Sequence, residues 1–118
     1  MADAAIFIGW GQPVRGREMQ ALQVFNESMA YWGRLQQQGT IESVEAFLIE
    51  PHGGDLTGFA ILRGDPQKLD ALRRTDEFAE STTRAGLIVE HLGVVGAATG
   101  QLMAANMQTY AAAVQKLA

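Results

Sequence analysis

Cysteine is missing from all 118 residues. Disulfides, thiolate catalysis and Cys-ligated zinc or iron–sulfur centres are therefore excluded. Positive charge is scarce as well. Nine Lys and Arg stand against thirteen Asp and Glu, for a net charge of −4, whereas a nucleic-acid binder needs a basic face for phosphate contacts. The one basic cluster, Arg73-Arg74, sits among Asp70, Asp76 and Glu77. No apolar run approaches the ~20 residues that span a bilayer, so no membrane partner is expected. The opening MADAAIFIGW carries an acid where a secretory leader needs basic residues, and its apolar stretch Ala4 to Ile8 is short, which points to the cytoplasm. Histidines number two, His52 and His91. No metal-ligand spacing joins them, and no metal is expected.

What remains is a balanced globular composition, 47% hydrophobic and 19% charged, at the length of one domain. The first strand is Ala4 to Trp10, a β-branched and aromatic run stopped by Gly9-Trp10-Gly11-Gln12-Pro13. A helix over about residues 17–38 follows. Its Leu22, Phe25, Met29 and Trp32 form one stripe, with Ala21, Val24, Tyr31 and Leu35 beside it, an arc broad enough to imply heavy burial. Gly39 closes it. A second strand, Ser43 to Glu50, passes through the turn signal Pro51-His52-Gly53-Gly54-Asp55 into a third, Leu56 to Arg63. Both contain continuous apolar runs, Ala46-Phe47-Leu48-Ile49 and Phe59-Ala60-Ile61-Leu62. Such runs imply a sheet covered on both faces. Two helices cover one face of four strands, and a second copy of the sheet is the simplest cover for the other.

Asp65-Pro66 marks the start of the next helix, and Thr75 followed by Asp76 and Glu77 reads as a second N-cap that breaks and restarts it. Gly86 ends it, and residues 87–97 are expected as the fourth strand, interrupted at Glu90 and His91 and thinned by Gly93 and Gly96. A last helix over about residues 101–117 carries a narrow seam of Met103, Met107, Tyr110, Val114 and Leu117, spaced four, three, four, three. That seam needs a groove or a partner helix. It is read as clasping the sheet edge or another subunit, with packing on its own domain as the alternative. The order β-α-β-β-α-β plus a helix is an α+β, ferredoxin-like arrangement with an antiparallel four-stranded sheet. It makes residues 1–118 a single domain, with a core at 4–98 and the C-terminal helix at 99–118.

This order of elements, the two-sided apolar strands and the length resemble the dimeric α+β-barrel superfamily, in which two ferredoxin-like protomers join their sheets. The resemblance covers residues 4 to 98. The stretch Gly58 to Gly100, GFAILRGDPQKLDALRRTDEFAESTTRAGLIVEHLGVVGAATG, is also similar to a set of small bacterial proteins that bring no activity with them. The superfamily includes cofactor-independent quinone-forming monooxygenases, muconolactone isomerases, stress-responsive barrel proteins, haem-degrading enzymes and haem-binding chlorite dismutases. The resemblance implies a homodimer and a cavity between sheet and helices, but no common catalytic motif.

Among single residues, His91 is the candidate base or hydrogen-bond anchor, since a histidine within an apolar strand lies on one face of the sheet, opposite Glu90. A purely structural histidine is the competing reading. Trp10, at the end of the first strand, is a candidate to rim a pocket and stack on a planar ligand. On the long helix Asn26, Tyr31 and Trp32 offer polar atoms at the helix–sheet junction, with Ser28 nearby. His52 reads as a solvated turn residue and Arg63 as a surface ion-pair partner of Asp65 or Glu45. The Asn, Trp and His set of the haem-degrading branch has no positional match, although Asn26, Trp32 and His91 exist. Gly9-Trp10-Gly11 lacks the third glycine and the later acid of a dinucleotide loop, so no cofactor is expected. Two functions follow. One is a cytoplasmic homodimer that binds a small apolar or aromatic ligand, and the other is a cofactor-independent monooxygenase or isomerase with His91 as base.

Overall fold

The computed structural model describes residues 3–118. Four strands, β1 (Ala4–Trp10), β2 (Ser43–Leu48), β3 (Gly58–Gly64) and β4 (Gly93–Ala98), and four helices, α1 (Glu18–Gln37), α2 (Pro66–Arg73), α3 (Asp76–Gly86) and α4 (Gly100–Leu117), follow one another in the order β1-α1-β2-β3-α2-α3-β4-α4. The strands form one antiparallel sheet in the order β2-β3-β1-β4. This is the βαββαβ arrangement with an added C-terminal helix.

Local chemistry sets the boundaries. Asp65 accepts the N–H groups of Gln67 and Lys68 at 3.1 Å each, and Pro66 occupies the first helical position of α2. The Thr75 hydroxyl donates to the Leu72 carbonyl at 2.7 Å and accepts the Phe78 N–H at 3.2 Å. One side chain therefore ends α2 and starts α3, as the Thr-Asp-Glu run foretells. Gly39, at φ 78°, turns the chain out of α1 in the left-handed conformation that costs glycine nothing.

The two faces of the sheet meet different surroundings. Ile6 and Ile8 of β1, Ala60 and Leu62 of β3, and the half-buried Val44, Ala46 and Val94 pack beneath the helices with Trp32, Leu35, Leu69, Leu72 and Phe78. The alternate residues face away from that core. Register places Phe47, Phe59 and Gly9 in one row and Glu45, Ile61, Phe7 and Val95 in the next. Phe59 stacks on Phe47 at 4.9 Å between centroids and on Phe7 at 5.4 Å. The protomer thus shows an apolar face of three stacked rings, with Leu56 of the hairpin loop beside them at Gly9 and no helix packed in that row.

Three expectations are corrected. The fourth strand is Gly93–Ala98, not 87–97. Residues 88–90 instead run beside the segment after β1, with the Gly11 N–H donating to the Glu90 carbonyl at 2.7 Å, the Glu90 N–H to Gln12 at 2.9 Å and the Val14 N–H to Ile88 at 2.8 Å. His91, at φ 56°, is the kink between the two stretches. It lies outside the strand, so strand alternation does not place it opposite Glu90. Second, the buried face of α1 is Ala21, Val24, Tyr31, Trp32 and Leu35, while Leu22 and Met29 stay 57% and 40% exposed. A broad apolar arc does not reveal which of its edges meets the sheet. Third, Glu50 and Leu56 lie outside the hairpin strands, in a long loop closed by the Ile49 N–H donating to Thr57 at 2.8 Å. As for α4, none of its residues is buried, and only its first turn reaches the core, through Leu102.

Candidate cleft between the first helix and the sheet

The end of β1 carries Trp10 to the open end of the helix–sheet layer. Gly58, paired with Trp10 across the ladder, has no side chain, and the indole lies against that bare backbone. The edge of Phe25 meets the Trp10 ring 5.8 Å away at 63°, a favoured aromatic geometry. Trp32, farther along α1, forms the floor. The kinked segment 88–92 forms the remaining wall, because Ile88 packs against Ala21 and Val24 while Val89 and Leu92 follow it inward.

These elements enclose a cleft of about 350 Å³, lined by Ile8, Trp10, Leu22, Phe25, Trp32, Leu48, Ile88 and Leu92, with Glu18, Ser28 and Thr57 as its polar members. The Glu18 carboxylate accepts the Gly16 N–H at 3.1 and 3.2 Å. No polar or charged residue is buried among the described residues. A neutral, flat molecule suits such walls, since an unpaired charge placed there loses its hydration without compensation.

Of the five sequence candidates, the structure brings Trp10 and Trp32 together at this cleft. Asn26 is exposed on the outer side of α1 and lines no described cavity. Tyr31 faces the other way, toward α3, in a polar groove of about 240 Å³ bridged by the ion pairs Arg34–Glu77 at 2.7 Å and Arg84–Glu27 at 2.6 Å. Its hydroxyl bonds Thr75, and the Arg34 guanidinium lies 5.2 Å from its ring. Burial pushes the Tyr31 hydroxyl above its ordinary value and Glu77 adds to this, while Thr75 and Arg34 pull it down. His91 projects from its kink with its side chain 62% exposed, and its Nε2 is 3.9 Å from the Asp55 carboxylate. Only its neighbour Leu92 reaches the cleft. Asn26, Trp32 and His91 are not brought together. His52 staples its own loop: Nδ1 accepts the Gly54 N–H at 3.2 Å, which leaves Nε2–H to donate to the Leu56 carbonyl at 2.9 Å. Sequence reasoning misses Leu48, Ile88 and Leu92 as lining, and for the last two the interruption at Glu90-His91 is the signal that could reveal them. No cluster of three or more metal-ligating side chains occurs among the described residues.

An open antiparallel sheet in this order, helices on one face and an apolar other face, defines a ferredoxin-like protein. Solved structures of that fold, some of them described as dimeric, are similar to it. A dimeric ferredoxin-like protein of unknown function from Jannaschia sp. is similar at a TM-score of 0.62 and 13% identity, over 80% of this chain and 97% of that one. An ethyl tert-butyl ether d (EthD) family protein from Bacillus halodurans matches at 0.63 and 16%, over 83% and 99%. SnoaB, a cofactor-independent oxygenase from Streptomyces nogalater, matches at 0.55 and 14%, over 84% and 95%. At such identities the likeness is one of fold. No protein-family model and no curated protein matches the chain.

Proposed function

We propose that the protein is a cytoplasmic homodimer, joined through the open faces of its sheets, that binds a small apolar or aromatic molecule in the cleft between α1 and the sheet. The cleft carries this reading. Its volume is within the range of small-molecule sites, its walls are aromatic and aliphatic, and its polar groups are few. The dimer is supported by the stacked Phe7, Phe59 and Phe47 on an uncovered face, which would otherwise be a large exposed apolar patch, and by similar structures described as dimeric.

The test uses the protein's own fluorescence. Trp10 and Trp32 are the two tryptophans of the chain, and both line the cleft. Titration with 1,4-naphthoquinone, a flat neutral probe, is expected to quench them to saturation, and Leu22→Arg at the mouth to abolish that quenching. Linear, unsaturable quenching that is equal in both proteins would overturn the reading.

The second reading is a cofactor-independent monooxygenase or isomerase with His91 as base. What favours it is the Asp55 carboxylate 3.9 Å from His91 Nε2, placed to orient the ring, together with the place of His91 next to a cleft-lining residue. Under this reading His91→Ala abolishes turnover of a bound substrate and leaves the naphthoquinone titration unchanged.

A further inference from the structure

The structure leaves two apolar helix stripes uncovered. On α4, Met103, Tyr110 and Val114 are 50%, 65% and 48% exposed, and on α1, Met19, Leu22 and Met29 are 77%, 57% and 40% exposed. Neither stripe covers the other within the protomer. An 18-residue helix held to its own protomer only at its first turn, through Leu102, is marginally stable in water beyond that turn, so the rest of α4 needs a surface to rest on. The similar structures are matched over 95–99% of their own length but over only 80–84% of this chain. The unmatched remainder is about the size of this helix.

We infer that α4 is an arm that docks antiparallel along α1 of the second copy in the homodimer and roofs that copy's cleft. Length and spacing support this seat. Met19 to Met29 spans about 15 Å and Met103 to Val114 about 17 Å at the α-helical rise. Laid antiparallel, one register sets Met103 against Met29, Tyr110 against Leu22 and Val114 against Met19, and it puts Asn106 opposite Asn26, the polar member of the α1 stripe. Charge agrees with the direction. Lys116 is the charged side chain of α4, which carries no acid, and in this register it lies near Glu18 at the start of the partner helix; opposed helix dipoles add to the preference. Sheet order agrees too. A two-fold axis running along the strands between the open faces sets β4 of one protomer over β2 of the other. The arm leaves from β4, and α1 packs against β2. Leu22 lines the cleft mouth, so Tyr110 of the arm would lie across it.

This inference rests on the homodimer and the cleft proposed above, and the absence of cysteine makes it directly testable. The Met29→Cys/Met103→Cys double variant, air-oxidised and run on a non-reducing gel, is expected to give a covalent dimer, while each single variant stays monomeric on the gel. Sizing of the untreated protein in solution separates the two levels. A dimer in solution with no covalent band in the double variant overturns the arm and leaves the homodimer standing, whereas a monomer in solution overturns both. A covalent dimer from Met103→Cys alone overturns this seat, because it pairs the two arms with each other. Tyr110→Glu supplies an independent readout, since Tyr110 is exposed in its own protomer and the change does not threaten the fold. It is expected to raise the dissociation constant for 1,4-naphthoquinone about tenfold, and an unchanged constant counts against the roof.

Discussion

A Cβ added to Gly58 would stand 2.7 Å from Cζ2 of Trp10 and 2.8 Å from the Phe47 carbonyl oxygen. The tryptophan is held in the cleft wall by the lack of a side chain on the neighbouring strand. Gly58→Ala is therefore expected to push the indole out of its place. Overpacking of this kind costs about 1–3 kcal/mol. Urea unfolding measures the loss, and a changed Trp emission in the folded variant reports the displaced ring. An unchanged spectrum with unchanged stability would show that Trp10 moves freely.

Phe59 is the middle ring of the Phe47–Phe59–Phe7 stack. Replacing it by Glu places a charge at the centre of the open face, where it remains solvated in the protomer but is buried in a face-to-face dimer. Phe59→Glu is expected to weaken dimerisation at least about tenfold and to spare the helical content. Analytical ultracentrifugation with circular dichroism checks both. A variant that stays fully dimeric at low concentration would place the interface elsewhere.

Thr75 joins three groups through one hydroxyl: the Leu72 carbonyl, the Phe78 N–H and the Tyr31 hydroxyl. Thr75→Ala removes a cap and a cross-link between α1 and the helix break together. The expected loss is about 1–2 kcal/mol, read from the urea midpoint. Thr75→Ser keeps the hydroxyl and is expected to recover most of it.

Tyr31 gives the fold an alkaline limit. The folded protein holds its phenolic proton more tightly than the unfolded chain, whose tyrosine titrates near 10.0. The stability this contributes is intact below pH 10 and declines as the pH rises through and above that value. Urea midpoints measured on either side of the tyrosine range are expected to fall more steeply in the native chain than in Tyr31→Phe. Equal slopes would mean that the hydroxyl senses no difference between the folded and unfolded states.

Elements whose ends depend on local chemistry are legible in the amino-acid order itself. Asp65-Pro66, Thr75 and Gly39 each act through their own side chain or backbone preference, and the structure places them as caps and turns. Features that depend on what packs against a surface are not legible in this way. Leu22 and Met29 share the apolar arc of α1 with Trp32, yet only the position of the sheet decides which of them is covered. His91 lies in an apolar stretch of sequence, but the chain twists at that residue to hand residues 88–90 to the segment after β1, and its ring goes to solvent. Trp10 and Trp32 are identifiable as cleft residues because large aromatic rings at a strand end and on a helix–sheet junction have few other places to go. Tyr31 lies next to Trp32 in sequence but about 100° around the helix, enough to point it at α3.

The order β2-β3-β1-β4 makes the first strand synthesised one of the two central ones. The ladder partners of β1 are residues 58–64 and 93–98. During translation β1 therefore waits unpaired while about half the chain is made, and its second edge stays open until residue 98 has emerged. Such long-range pairings slow folding, because a large loop must close before any contact rewards it. The apolar stretch Ala4 to Trp10 is the segment most exposed to wrong partners in that interval, and ribosome-bound chains ending before β4 should be the ones that chaperones hold longest.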